Sequence, residues 1–260
     1  MKRLVLAIAL LAAGCGSQQA QQQQQQQPQA TKVAAKPVAA APPNCNPTAN
    51  VPASVGNKTV VAVVRPGTIA TAYRYVGTDA FHRFGRHNVN GVPTVFAVSA
   101  LRDTRACKPA WYRVALPVRP NGTSGWVKAS DVNVLAVDTK LVIRLRAATI
   151  ELVRAGNVVF HAKVAPGAPD TPTPTGTFYV TQRLIPADPN GPWGPAALGT
   201  SAYSPVLKDW PQGGPIGIHG TDEPWVIGHP ASHGCIRLLN SEMVKLFKLT
   251  PTGTPIVISA

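Results

Sequence analysis

From Lys58 onward the chain is a succession of short β-branched runs separated by turn formers, and this pattern constrains its fold more than any other feature. Thr59-Val60-Val61-Ala62-Val63-Val64, Thr94-Val95-Phe96-Ala97-Val98, Trp111-Tyr112-Arg113-Val114-Ala115-Leu116 and Gly125-Trp126-Val127 have the length and composition of strands. Pro66-Gly67, Pro120-Asn121-Gly122 and Thr123-Ser124-Gly125 divide them as turns. The pattern resumes after Asp138 with runs over 140–145, 149–153, 158–164, 177–181 and 254–258, and a hairpin turn is expected at Ala155-Gly156-Asn157. Only Ser241 to Leu249 carries a helical period, with Asn240 or Ser241 as N-cap and Met243, Val244 and Phe247 on one face. The expected fold class is mainly β: a small β-barrel over 57–136, then a β-rich domain over 137–260, a β-sandwich with one or two short helices.

Charge divides along the same boundary. The 260 residues hold 25 Lys+Arg against 11 Asp+Glu, a formal net charge of +14. Residues 57–136 carry +8 of it, whereas 137–260 carry only +2. A basic total suggests an anionic partner, but the excess belongs to the first β unit. Met1-Lys2-Arg3 followed by the apolar run Leu4–Ala13 has the form of a secretory signal peptide over 1–14, too short to span a bilayer. Leu11-Ala12-Ala13-Gly14-Cys15 resembles a bacterial lipoprotein processing box, with Ala12 where Leu is usual, and makes Cys15 the expected lipidated residue. Residues 15–56 are rich in Gln, Ala and Pro with few large apolar side chains, so they are expected to form a disordered tether. An exported, membrane-anchored protein facing the cell wall or periplasm follows, and export removes nucleic acid as a partner.

Chemistry concentrates in Pro215-Ile216-Gly217-Ile218-His219-Gly220 and Ala231-Ser232-His233-Gly234-Cys235-Ile236-Arg237-Leu238. A nucleophilic Cys needs a base or cation near the thiol and donors for the developing oxyanion. His219, at the end of an apolar strand, could supply the base across a sheet. Gly234 permits a tight turn beside the nucleophile. Two readings compete: satisfied histidines with a structural Cys, and a metal site built from His219, His233 and Cys235.

Ile218-His219-Gly220 with Ser232-His233-Gly234-Cys235-Ile236-Arg237 resembles the signature of the L,D-transpeptidase (YkuD-type) catalytic domain. Gly167-Ala168-Pro169-Asp170-Thr171-Pro172-Thr173-Pro174-Thr175-Gly176-Thr177-Phe178 and Trp193-Gly194-Pro195-Ala196-Ala197-Leu198-Gly199 extend the resemblance over nearly all of 138–260. The stretch from Trp111 to Val127 is similar to a bacterial SH3-like domain. The catalytic resemblance implies Cys235 as nucleophile and His219 as general base, with His233 as the other candidate. Gly220 would orient His219 through its carbonyl, and N–H groups around Gly234 and Cys235 would form the oxyanion hole. Ser232, Arg237 and Tyr203 would be the substrate-side residues, with Arg237 either a carboxylate contact or a structural one. The implied reaction is acyl transfer from a peptidoglycan tetrapeptide stem, releasing terminal D-Ala and forming a 3→3 cross-link through a Cys235 thioester. Water as acceptor would give a carboxypeptidase, a protein amine would give wall-protein attachment, and no cofactor or metal is required.

A wall-hydrolase cysteine peptidase would place its Cys before its His, the reverse of the order here. A non-catalytic wall-binding lipoprotein is the remaining alternative, and it conflicts with the intact His219, His233, Gly234 and Cys235. Cys45 and Cys107 are expected to form a disulfide in an oxidising compartment. Arg83, Arg86, Arg102, Arg105, Lys108 and Arg113 form either a site for an anionic wall polymer or a solvated face. The protein is expected to be monomeric.

Overall fold

The computed structural model describes residues 45–46, 49–55, 58–210 and 214–260. Cys15, the leader and most of the expected tether lie outside the described residues. Two sheets account for nearly all regular structure among the described residues. The first has nine strands, all paired antiparallel: β1 (Val51–Pro52), β2 (Ser54–Val55), β3 (Lys58–Val64), β4 (Ala70–Tyr75), β5 (Thr78–Phe84), β6 (Val95–Asp103), β7 (Pro109–Ala115), β8 (Ser124–Lys128) and β9 (Val132–Val137). Their order is β2-β3-β6-β7-β8-β4-β5, with β9 also on β3 and β1 also on β6. Cys45 is disulfide-bonded to Cys107 in the β6–β7 connection.

The second sheet has eight strands: β10 (Thr139–Arg144), β11 (Thr149–Arg154), β12 (Asn157–Lys163), β13 (Gly176–Leu184), β14 (Ala197–Tyr203), β15 (Pro215–His219), β16 (Ile236–Arg237) and β17 (Pro255–Ser259). The order is β12-β11-β10-β17-β13-β14-β15-β16, with β10–β17 and β15–β16 parallel. Ala155 and Gly156 both adopt positive φ, the geometry of a two-residue hairpin turn between β11 and β12.

Each sheet has its own core. Val60, Ala62, Val64, Phe96, Val98, Val114 and Val127 fill the first. Leu141, Ile143, Ile150, Leu198, Ile216, Ile218, Ile236 and Met243 fill the second. The sheets nevertheless belong to one compact unit. Strand β3 is apolar on both faces because Val61 turns away from its own core to join Val95, Val137 and Tyr179 in a third cluster. Tyr179 is 1% exposed, and its hydroxyl lies 3.2 Å from Val95 O and 3.1 Å from Ala115 O, one O–H shared between two carbonyls.

Helix α1 (Asn240–Leu249) departs from the sequence expectation at its start. Leu239 occupies the N-cap position, without a side-chain cap. Asn240 is spent elsewhere: its Oδ1 accepts the Thr221 N–H at 2.8 Å and so fixes the chain leaving β15. The buried face is Met243 and Leu246 with Phe247 packed beside it, and Val244 lies at the margin.

Candidate active site

His219 ends β15 and Cys235 immediately precedes β16, two adjacent parallel strands in which His219 pairs with Arg237. Sheet registry therefore brings together residues sixteen positions apart. Gly217 lies between the two side chains: a methyl built on it would stand 3.5 Å from His219 Cδ2 and 3.9 Å from Cys235 Sγ. Its N–H donates to Sγ at 3.3 Å. Among the described residues no hydrogen bond joins Sγ to either imidazole.

The tautomer of His219 follows from its partner. Gly220 O can only accept, and it lies 2.6 Å from His219 Nδ1, so Nδ1 carries the proton and Nε2 keeps its lone pair. His219 is 4% exposed, and burial lowers its pKa to about 4 despite the Gly220 carbonyl. Desolvation pushes the Cys235 thiol up, with the Gly217 N–H and Arg237 acting against it. The resting pair is therefore a neutral thiol and a neutral imidazole.

The turn ahead of Cys235 is braced from two directions. Ser232 Oγ donates to Cys235 O and accepts the Gly234 N–H at 3.1 Å. Thr173 Oγ1 accepts the Gly167 N–H at 2.8 Å and donates to Gly234 O at 2.8 Å. Thr171 Oγ1 and the Ala168 N–H both reach Ser232 O, at 3.0 and 2.8 Å. Glycine is required at 234: φ is +110° and a Cβ would meet Ile216 Cδ1 at 2.9 Å. With the Gly234 N–H committed to Ser232, the Cys235 N–H, like that of His233, is a donor of the turn without a partner among the described residues.

Other predicted residues go elsewhere. His233 is exposed and stacks on Trp210, with centroids 5.4 Å apart. The Arg237 guanidinium pairs with Glu223 at 2.5 Å rather than facing the cavity, and its Nε is buried with no partner among the described residues. Tyr203 does not line the cavity; its hydroxyl donates to Pro117 O at 2.8 Å in the first β module. Ser232 is 1% exposed and acts within the turn. Among the described residues no three His, Cys, Asp or Glu side chains converge as a metal site requires. Of the basic cluster, Arg86 is tied to Val64 O, and Arg102 to Asn50 and the Trp126 ring.

Cys235 and His233 open onto a cavity of about 830 Å³ walled by Trp193, Trp210, Leu184, Ile185 and Leu207, with Asn90 and Gln182 at a polar edge. Trp193 packs on His219 at 4.5 Å between centroids. Sequence reasoning assigned no role to Trp193, Gly217, Thr171 or Thr173. A glycine inside the apolar run 216–218 was the available signal, since strand glycines mark close approach.

Residues 138–258 match the L,D-transpeptidase catalytic domain family, YkuD. The putative L,D-transpeptidase YqjB of Bacillus subtilis is 30% identical over 137 residues, 49% of this chain and 74% of YqjB. The chain belongs to the L,D-transpeptidase (YkuD) family. The putative L,D-transpeptidase YkuD of Bacillus subtilis is 33% identical over 119 residues, 46% of this chain and 65% of that protein. Thus the chain spans just under two thirds of the YkuD relative's length. A crystal structure of the Enterococcus faecium L,D-transpeptidase C442S mutant aligns at 26% identity and a TM-score of 0.36, covering 47% of this chain and 50% of that one. In this L,D-transpeptidase domain the matched segment begins one residue before β10 and ends within β17, so it contains the second sheet except Ser259, together with the Cys235 turn.

Proposed function

We propose that the protein is a peptidoglycan L,D-transpeptidase that transfers a stem-peptide acyl group through a thioester on Cys235. The observation that carries this reading is the convergence of Cys235 Sγ and an Nδ1-protonated, buried His219 around Gly217, on the floor of a cavity large enough for a peptide. In the first step Sγ attacks the carbonyl carbon of the stem's third residue as its proton passes to His219 Nε2. The Cys235 N–H is positioned to receive the developing oxyanion. Collapse breaks the C–N bond, and His219 returns the proton to the departing D-Ala amine. In the second step an amine of a neighbouring stem attacks the thioester and His219 Nε2 takes its proton. As the C–S bond breaks, that proton passes to the departing Sγ, leaving a 3→3 link and the neutral thiol and imidazole restored. Water in place of the amine yields the carboxypeptidase product, and a protein amine yields wall-protein attachment. Muropeptide mass spectrometry on sacculi incubated with the protein tests the reading. The expected result is 3→3 dimers with wild type and none with Cys235→Ala; dimers formed by the variant, or no stem product from wild type, would overturn it.

The surrounding organisation belongs to the same proposal. The leader over 1–14 exports the chain, Cys15 carries a lipid anchor, and 15–56 tethers the folded part to the membrane. Residues 57–136 form an SH3-like module and 137–260 the catalytic domain. The excess basic charge of the module favours contact with anionic wall polymers. Globomycin-sensitive processing and labelling with a fatty acid probe at Cys15 would test the anchor.

A further inference from the structure

We infer that Arg119 and Asn121 of the first β module are positioning residues for the Trp210 wall of the catalytic cavity, so that the module helps to set stem-peptide binding. The inference rests on the acyl-transfer reading above for its substrate, but not for its geometry. The segment 204–210 leaves β14 and carries Leu207 and Trp210 to the cavity wall. Trp210 is 45% exposed and its ring contact is a tilted one, at 40°, with an exposed His233, so its place depends on how the backbone beneath it is held.

That backbone is gripped from the β7–β8 connection of the first module. Asn121 Oδ1 accepts the Tyr203 N–H at 2.9 Å, and Asn121 Nδ2 donates to Tyr203 O at 2.9 Å. One side-chain amide thus occupies both main-chain groups of the residue that launches the segment, as a strand partner would. Arg119 Nη2 donates to Leu207 O at 3.2 Å, and its guanidinium lies 5.3 Å from the Tyr203 ring centroid. The Tyr203 hydroxyl closes the arrangement on Pro117 O. Gly214 passes directly under Leu207, where a Cβ would fall 2.2 Å from Leu207 O and 3.4 Å from Arg119 Nη2. The segment's internal bonds, from Val206 N and Leu207 N to Ser204 Oγ, shape the turn, and the Ser204 N–H ties its first residue to Gly214 O at 2.9 Å. Beyond Ser204 the described bond to its backbone from outside the segment is that of Arg119 to Leu207 O. The module adds to that hold at two points: Arg119 on the main chain of the wall itself, at Leu207 O, and Asn121 on Tyr203, the last residue of β14, from which the wall segment departs.

A residue acting only through Trp210 should change binding, not the chemical step. With a tetrapeptide stem as donor, Arg119→Ala and Asn121→Ala are expected to raise KM about tenfold while kcat stays within about twofold. In a Trp210→Ala background the same substitutions should add nothing further to KM. Amide exchange at Val206 and Leu207 should accelerate at least tenfold in Arg119→Ala; this readout needs no substrate. An unchanged KM with active wild type, additive effects in the Trp210→Ala background, or unchanged exchange would each overturn the inference. Wild type inert toward stems would overturn the acyl-transfer reading instead, and the exchange measurement would still decide this one. If Asn121→Ala fails to fold, Arg119→Ala and Arg119→Lys carry the test, with Lys restoring part of the exchange protection.

Discussion

Replacing Gly217 by Ala isolates the space between the thiol and the imidazole from everything that builds the fold. The residue is in mid-strand, and its φ lies outside the left-handed region, so an L side chain is admitted. An added methyl would meet its nearest neighbours, His219 Cδ2, Trp193 Cζ3 and Cys235 Sγ, at 3.5, 3.8 and 3.9 Å, all ordinary van der Waals distances. No backbone atom has to move, and the Gly217 N–H that donates to Sγ is kept. Folding should therefore gain slightly: Ala for Gly in a strand is worth about 0.5–1 kcal/mol, a rise in Tm of roughly 1–4 °C for a unit of this size. Catalysis should lose heavily, because the methyl occupies the volume through which a carbonyl carbon must approach Sγ while Nε2 takes the proton. A displacement of about 1 Å in such a reaction costs on the order of 100-fold. Calorimetry and D-Ala release from a tetrapeptide stem give the two numbers on one preparation. A variant as active as wild type would refute the placement of the reacting atoms; a variant that unfolds would refute the packing argument.

Cys235→Ala should abolish thioester formation, read as loss of the acyl adduct by intact mass, with no change in Tm beyond about 1–2 °C. Because burial lowers the His219 pKa to about 4, the acid limb of kcat/KM should fall near that pH rather than near 6.5. The same depression sets the sign of a stability change. The unfolded imidazole binds a proton below about 6.5 and the folded one only below about 4, so stability is full above 6.5 and declines as pH falls, by on the order of 3 kcal/mol. Urea unfolding between pH 4 and 7 should show that slope in wild type and lack it in His219→Gln. Reducing the Cys45–Cys107 bridge opens a connection of 62 residues and should cost on the order of 4 kcal/mol by loop entropy; in Cys235→Ala, titratable thiols should rise by two.

Most of the strand framework was legible because β-branched runs and Gly- or Pro-bearing turns state their own boundaries, as at β10 to β12. Strand β14 was not. Its sequence, Ala-Leu-Gly-Thr-Ser-Ala-Tyr, has almost no β-branched bulk, yet it is an interior strand between β13 and β15. Its small residues answer a tertiary demand: a Cβ on Gly199 would strike the Gln182 side chain at 2.5 Å. Strands β4 and β5 mix aromatic and charged residues and hold their place through neighbours such as β8, which a local pattern does not encode. At the candidate site, Cys235 and His219 stood out in the sequence because few residue types can serve as nucleophile or base. The roles of Asn121, Asn240 and Thr173 depend on which loops meet, and that is decided by sheet order.

The directions of the two pKa shifts bear on how such a site would work. A preformed thiolate–imidazolium pair requires the imidazole to be the stronger base, yet burial moves His219 down to about 4 and the Cys235 thiol up. The Gly217 N–H and Arg237 offset part of the thiol's shift without reversing the order. Proton transfer must then accompany carbon–sulfur bond formation rather than precede it. Reactivity under this regime depends on a carbonyl held against Sγ with its oxygen toward the Cys235 N–H, and much less on the thiol alone. Small alkylating reagents that make no use of the Trp193 and Trp210 walls should consequently react slowly with Cys235 at neutral pH. Their rate should climb with pH through the thiol's raised ionisation, while kcat/KM for a stem peptide stays level across the same range. Parallel pH profiles for the two reactions would mean that a free thiolate is the reacting species, and the neutral-pair argument would fall.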